Sequence, residues 1–193
     1  MRVTAEQRQR IRANLLRAGL ALFARQGFAG TTVDQIAMAA GVAKGTLYNY
    51  FPAKEDLALA AFAAALQDVE VAMPEVLACP SLEERLGALF ARFDAWAVHP
   101  ELIWVWALEN LRRGGAEAAS ATLRRLLTAL FADAAERGEV RPDRPAAMRA
   151  IDVEGVVLAH VAAWYHGGAG GDLQAQLWAA TAAYVAGARA GAR

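Results

Sequence analysis

A lysine, a threonine, an asparagine and two tyrosines fall within seven residues, Lys44-Gly45-Thr46-Leu47-Tyr48-Asn49-Tyr50. Ammonium and hydroxyl groups of this kind hold phosphates, while asparagine and threonine reach base edges or the thymine methyl. On a helix, at about 100° per residue with Leu47 at zero, Phe51 falls near 40°. Gly45, Asn49 and Thr46 fall at roughly 160°, 200° and 260° on the same count. Leu47 and Phe51, with Val42, are then core anchors. The other three face outward, flanked by Tyr48 and Tyr50. Gly45 allows close approach, and Lys44 stands at the helix start, where it can bend toward a groove. A solvated surface helix whose tyrosines merely cover a core would offer similar residues, so the neighbouring elements decide between the two readings.

Those elements are legible. Residues 5–26 form an amphipathic helix, with Ile11, Leu15, Ala18, Leu22 and Phe23 at helical spacing and Gly27 as its stop. Thr32 followed by Gln35 is a capping box that opens a short helix from Val33 to Ala40. Gly41 ends it with the positive φ that a tight turn often needs. A second short helix follows from Ala43 to Phe51, closed by Pro52, and a long one starts at Lys54. Two short helices joined by a Gly-Val turn, on a longer preceding helix, make a helix-turn-helix. The capped start at Thr32 can also present backbone N–H groups to a phosphate.

The charge distribution agrees. Residues 1–53 carry seven Arg/Lys against two acids (Glu6 and Asp34), and the remainder carries thirteen against eighteen, so the net zero hides a basic head on an acidic body. That asymmetry marks an anion-facing module. The chain is 56% apolar with 6 prolines, enough to bury a sizeable core, and is dominated by alanine and leucine, which favour helix. Cys79 is the single cysteine, which fits a reducing cytoplasm. No uncharged run reaches the roughly 18 residues of a membrane span. Gly167-Gly-Ala-Gly-Gly171 lacks the preceding strand and the spacing of a dinucleotide fingerprint, and there is no P-loop or nucleophile elbow. His160 and His166 lie on different helix faces. The expectation is therefore no enzyme, no cofactor and no metal.

The stretch from Gly27 to Leu57, including Gly27-Phe28, Thr31-Thr32-Val33, Ile36-Ala37, Ala40-Gly41-Val42, Lys44-Gly45-Thr46-Leu47-Tyr48-Asn49-Tyr50-Phe51 and Lys54-Glu55, resembles the DNA-binding segment of the TetR (tetracycline repressor) family. The resemblance covers about residues 8–60 without a gap. It implies that Lys44, Thr46, Tyr48, Asn49 and Tyr50 contact DNA from the recognition helix, and that Thr32 and Lys54 contact phosphates from neighbouring helix starts. Ala53 departs from the pattern, since the family usually has a small polar cap there. The loss of such a cap costs roughly 1 kcal/mol. Beyond residue 60 the resemblance implies only a helical fold, a dimer and often a small-molecule pocket.

The expected architecture is all-α. Residues 1–53 form a three-helix head, and residues 54–193 form a larger sensing and dimerisation domain, with about nine helices in all. After the long helix, Pro74 and Pro80 mark a fraying end and a loop. Further helices should run from Ser81 through Phe93 and Ala97, over 101–112, 117–137, 143–166 and 172–189. Val153, Val157, His160 and Trp164 share one face, as do Leu173, Leu177, Thr181, Tyr184 and Val185. Helices apolar around much of their girth must be buried in core or partner, and by resemblance these two pair with the same two of a second subunit. All five tryptophans lie in this domain. Trp96, Trp104, Trp106, Asn110, Phe131, His160 and Trp164 are candidates for a pocket that takes a small apolar or aromatic effector. Ordinary core packing is the competing role for each. The expectation is a regulator on a palindromic double-stranded operator, a repressor released by its ligand. The rival is a helical dimeric interaction module with no effector.

Overall fold

The computed structural model describes residues 4–92, 100–112 and 118–189. Ten α-helices are present among them and no strand. In chain order they are α1 (Ala5–Gln26), α2 (Val33–Ala39), α3 (Lys44–Tyr50), α4 (Lys54–Val71), α5 (Met73–Leu77), α6 (Leu82–Ala91), α7 (Pro100–Arg112), α8 (Ala118–Glu136), α9 (Ala146–His166) and α10 (Leu173–Ala188). The tenth helix, α5, stands where a loop was expected. Pro74 lies in its first turn, where the missing N–H has no helical partner to lose. Burial of Met73 and Val76 rewards the turn.

The chain divides into two compact units, Met1–Phe62 and Ala63–Arg193. The division falls inside α4 and not before it, as the 1–53 boundary would have it. The reason is the packing of the first turns of α4. Gly19 of α1 leaves no room for a Cβ against Leu57, whose Cδ2 would lie 2.5 Å away. Leu57, Ala58 and Ala61 are all buried.

Within the first unit α1 opens on Thr4, whose hydroxyl accepts the Gln7 N–H, and ends at Gly27. Leu15, Leu22 and Phe23 of α1 are buried, as are Ile36 of α2, Leu47 of α3 and Phe51 just after it, and α2 packs on both α1 and α3. Gly41, at φ 71°, makes the turn between α2 and α3 in a conformation that only glycine adopts cheaply.

The second unit is a helical bundle in which α9 packs along α8, α7 and α10, and α6 packs on α8 and α10. Leu86, Leu89, Phe90, Leu123, Leu127, Phe131, Val153 and Val161 fill its core. A fully buried arginine, Arg85 of α6, is neutralised there by Asp133 and Glu139, and its Nε donates to Ser81 O at 3.2 Å. Burying a guanidinium costs less when its fork is met by carboxylates. Glu139 also accepts the Leu82 N–H at 2.6 Å, so one side chain serves both the arginine and the start of α6. Val140 and Arg189 form a single antiparallel bridge that ties down the end of α10.

Candidate nucleic-acid interface

The side chains of α3 sort into two sets by burial. Leu47 and Phe51 are 1% and 2% exposed, as their shared angle requires. Lys44, Gly45, Tyr48 and Asn49 are exposed, Tyr48 at 43%, and Thr46 and Tyr50 are half-buried on the flanks. The structure thus brings the six polar and glycine positions singled out in this helix onto one outward surface. Val42 is half-buried, because it lies in the turn before the chain enters the core. A methyl group on Gly45 would meet nothing within 4 Å, and Gly45 is not among the positive-φ glycines. The head by itself has no use for a glycine there, although glycine inside a helix costs about 1 kcal/mol relative to alanine.

Lys44 is not free in the isolated head. Its Nζ donates to Asp34 Oδ2 at 2.9 Å, bridging α3 to the first turn of α2. That hydrogen bond and the carboxylate's charge raise the lysine above its ordinary pKa. Asp34 was not among the residues singled out from the sequence. The only signal available was its place as the lone acid of α2 and α3.

Thr32 is the exposed N-cap of α2. Its hydroxyl accepts the Gln35 N–H at 3.3 Å, and Gln35 Oε1 accepts the Thr32 N–H at 2.9 Å, which completes the expected capping box. Gln26 extends the motif from α1 by donating to the same Gln35 oxygen at 2.9 Å and to Gly30 O at 3.0 Å. Lys54 has an internal role that sequence reasoning missed. Its ammonium donates to Phe28 O at 2.6 Å and to Thr31 O at 2.9 Å, and lies 4.1 Å from the Phe28 ring. Two of its three N–H groups are therefore engaged in fixing the loop that carries Thr32. The side-chain cap missing at Ala53 is partly replaced, because Asp56 Oδ2 accepts the Ala53 N–H at 2.8 Å, and α4 starts at Lys54 as expected.

Residues 15–61 match the family model of the bacterial regulatory proteins, tetR family. The transcriptional repressor NicS of Pseudomonas putida is 34% identical over 116 residues, covering 58% of this chain and 54% of that protein. The regulator TcmR of Streptomyces glaucescens is 38% identical over 87 residues, 45% of this chain and 37% of its own. The chain thus spans about half the length, or less, of these curated relatives. FadR of Thermus thermophilus, a TetR-family repressor solved with lauroyl-CoA, superposes with a TM-score of 0.80 at 25% identity, over 94% of this chain and 97% of that one. Residues 15–61 are thus a DNA-binding segment of the tetR-family type.

In the second unit the candidate residues divide between buried and half-buried positions. Trp106, Asn110, Phe131 and Trp164 are buried. Asn110 donates to Ser120 Oγ and, at 3.1 Å, to Glu154 Oε1, and Arg124 closes the network on Glu154 at 2.7 Å. Trp104 is half-buried and stacks on Tyr165, with centroids 5.2 Å apart and planes at 8°. His160 is half-buried, its Nδ1 2.8 Å from Val156 O of its own helix. Trp96 lies outside the described residues, as do Phe93 and Ala97.

Among the residues assigned to pairing, Val153, Val157, Trp164, Leu173, Leu177 and Thr181 are all buried within the unit itself. Thr181 Oγ1 is satisfied by Leu177 O at 2.7 Å, and Tyr184 donates its hydroxyl to Asp152 Oδ2 at 2.7 Å. Burial and that bond raise the Tyr184 phenol above its usual pKa. Six of the eight residues assigned to pairing are thus buried by the chain's own core, while His160 and Tyr184 are half-buried. The opposite faces are exposed: Met148, Ile151, Gly155 and Ala159 on α9, and Ala175, Trp178, Ala179, Ala183 and Ala186 on α10. None of these is charged. Among the described residues no group of three His, Cys, Asp or Glu could hold a metal, and no helix is long and apolar enough to cross a membrane.

Proposed function

We propose that the protein is a sequence-specific DNA-binding transcriptional regulator, a repressor that leaves a palindromic operator when a small molecule binds its second unit. The observation that carries this is the sorting of α3: Leu47 and Phe51 anchor it, and Lys44, Gly45, Tyr48 and Asn49 stand outward with no partner from the core. In this reading Tyr48, Asn49, Thr46 and Tyr50 meet bases and backbone in the major groove. Lys44, Thr32 and the remaining donor of Lys54 meet phosphates. The protein acts as a homodimer, because a two-fold protein reads two half-sites about one helical turn apart. The uncharged outer faces of α9 and α10 supply the pairing surface, since a helix apolar on both sides needs cover on both.

The effector is assigned to the region of α7, α8 and α9 around Trp106, Asn110, Phe131 and Trp164, with Trp104 at its margin. Its class is mostly apolar, and the lauroyl-CoA held by the Thermus thermophilus neighbour makes a long-chain acyl thioester the first to try. To switch, the ligand must bind the DNA-released state more tightly than the DNA-bound one. Couplings of about 1–3 kcal/mol are typical, so ligand should weaken operator binding roughly 5- to 150-fold.

Gel shifts against fragments from around its own gene test the reading. One palindromic fragment should outcompete random duplex at physiological salt, as a complex of two chains. Failure of every fragment to do so would remove the regulator reading. An acyl-CoA that quenches tryptophan emission yet leaves operator affinity unchanged would leave a pocket without a switch.

A further inference from the structure

Asp34 stands in an unexpected place for an anion. Residues 1–53 hold only two acids, and Asp34 is the one that lies within the two short helices. It sits in the first turn of α2, two residues after the exposed Thr32, and its carboxylate faces the ammonium of Lys44 on the outward side of the head. The Asp34 and Lys44 side chains are 66% and 52% exposed, so each is open to solvent and to whatever the head binds. A pair this exposed contributes little to folding. Its helix-dipole role at α2 needs an acid there, but does not need that acid bonded to the lysine of the neighbouring helix.

We propose that Asp34 is a built-in counter-ion for Lys44 that lowers both the affinity and the salt dependence of DNA binding. The inference rests on the DNA-binding reading above. A free lysine that neutralises a phosphate releases one condensed cation from DNA, with a log–log salt slope of about −0.9 per contact. Lys44 starts the reaction already neutralised. When it turns to a phosphate it leaves Asp34 as an uncompensated carboxylate beside a polyanion, which recaptures a cation or repels the backbone. The pair therefore enters the complex with almost no net electrostatic gain. Phosphate contacts carry no sequence information, so damping one of them leaves a larger share of the binding to base contacts and makes the complex easier to release.

The test measures operator affinity of the full-length chain by fluorescence anisotropy across a range of salt. Asp34→Asn keeps the size and removes the charge. It should tighten binding about 2- to 5-fold, the span expected of an exposed ion pair. It should also steepen the salt slope by up to about 0.9 per head. Lys44→Gln should weaken binding and flatten the slope. The double variant should return to the wild-type slope, whatever base contact it has lost. Asp34→Glu, which keeps the charge, should leave the slope near the wild-type value. If wild type binds an operator and Asp34→Asn has an unchanged slope while its melting temperature falls, Asp34 is a structural residue and the proposal is wrong. If the double variant has the flattened slope of Lys44→Gln alone, the proposal is also wrong. Wild type that binds no DNA overturns the regulator reading instead.

Discussion

Gly45→Ala should make the head more stable and a worse DNA binder at once. The structure sets both signs. A Cβ at position 45 meets no atom within 4 Å and the backbone is not in the left-handed region, so alanine enters without strain. Replacing glycine by alanine in a helix stabilises by about 0.5–1 kcal/mol. Position 45 is the second residue of a seven-residue helix, so the lower end applies. For a chain of this size a kcal/mol shifts Tm by about 2–4 °C, which predicts a rise of about 1–2 °C. Against DNA the same methyl group projects from the exposed side of α3, where close approach was the reason to have a glycine. Holding α3 off the groove by the width of a methyl group would strain the contacts of Tyr48 and Asn49. Loss of one good base contact costs about 1–3 kcal/mol, or roughly 5- to 150-fold in Kd. Thermal denaturation followed by circular dichroism gives the first number and anisotropy on the operator gives the second. Unchanged or tighter DNA binding would show that α3 does not approach DNA at Gly45. A lower Tm would show that the structural account of this position is wrong.

Two further variants separate core from surface. Leu47→Ala removes buried carbon from the head and should cost about 2–5 kcal/mol of stability, whereas Tyr48→Ala, at an exposed position, should barely change Tm and weaken operator binding by about 1–3 kcal/mol. Equal destabilisation by the two in thermal melts would mean that Tyr48 is a core residue. Ala179→Glu places a charge on the exposed face of α10 without touching its buried face, so helicity should persist while sedimentation shows a monomer at micromolar concentration and operator affinity falls. A dimer that survives this substitution would place the pairing surface elsewhere.

The head was legible from its sequence because each of its signals is local. The angle between Leu47 and Phe51 on one helix, Thr32 three residues before Gln35, and glycines at 27 and 41 all act within a turn or two, and the structure has each in its expected role. The interactions that escaped notice join residues across the chain. Lys54 reaches back to the carbonyls of Phe28 and Thr31, and every residue has a carbonyl, so nothing in the sequence marks those two. The Lys44–Asp34 pair depends on how α2 and α3 cross, which a one-dimensional pattern does not contain.

In the second unit the fold class was readable and the orientation of its last helices was not, for a related reason. Polarity separates inside from outside only when one face of a helix is polar. Beyond Gln174 and Gln176 in its first turn α10 has almost no polar side chains, so the run Leu173, Leu177, Thr181, Val185 was as consistent with an inner face as with a pairing face. Side-chain size separates the two only in part. Leucine and valine fill the inner side, where irregular space between α6, α9 and α10 must be closed to interior packing density. Alanines 175, 179, 183 and 186 line the outer side together with Trp178. The same division recurs on α9, with Val153, Val157, Val161 and Trp164 inward and Gly155 and Ala159 outward. On both helices the buried side is built of the larger residues, while the exposed side mixes alanine and glycine with Met148, Ile151 and Trp178, so neither polarity nor size alone told the two sides apart in the sequence.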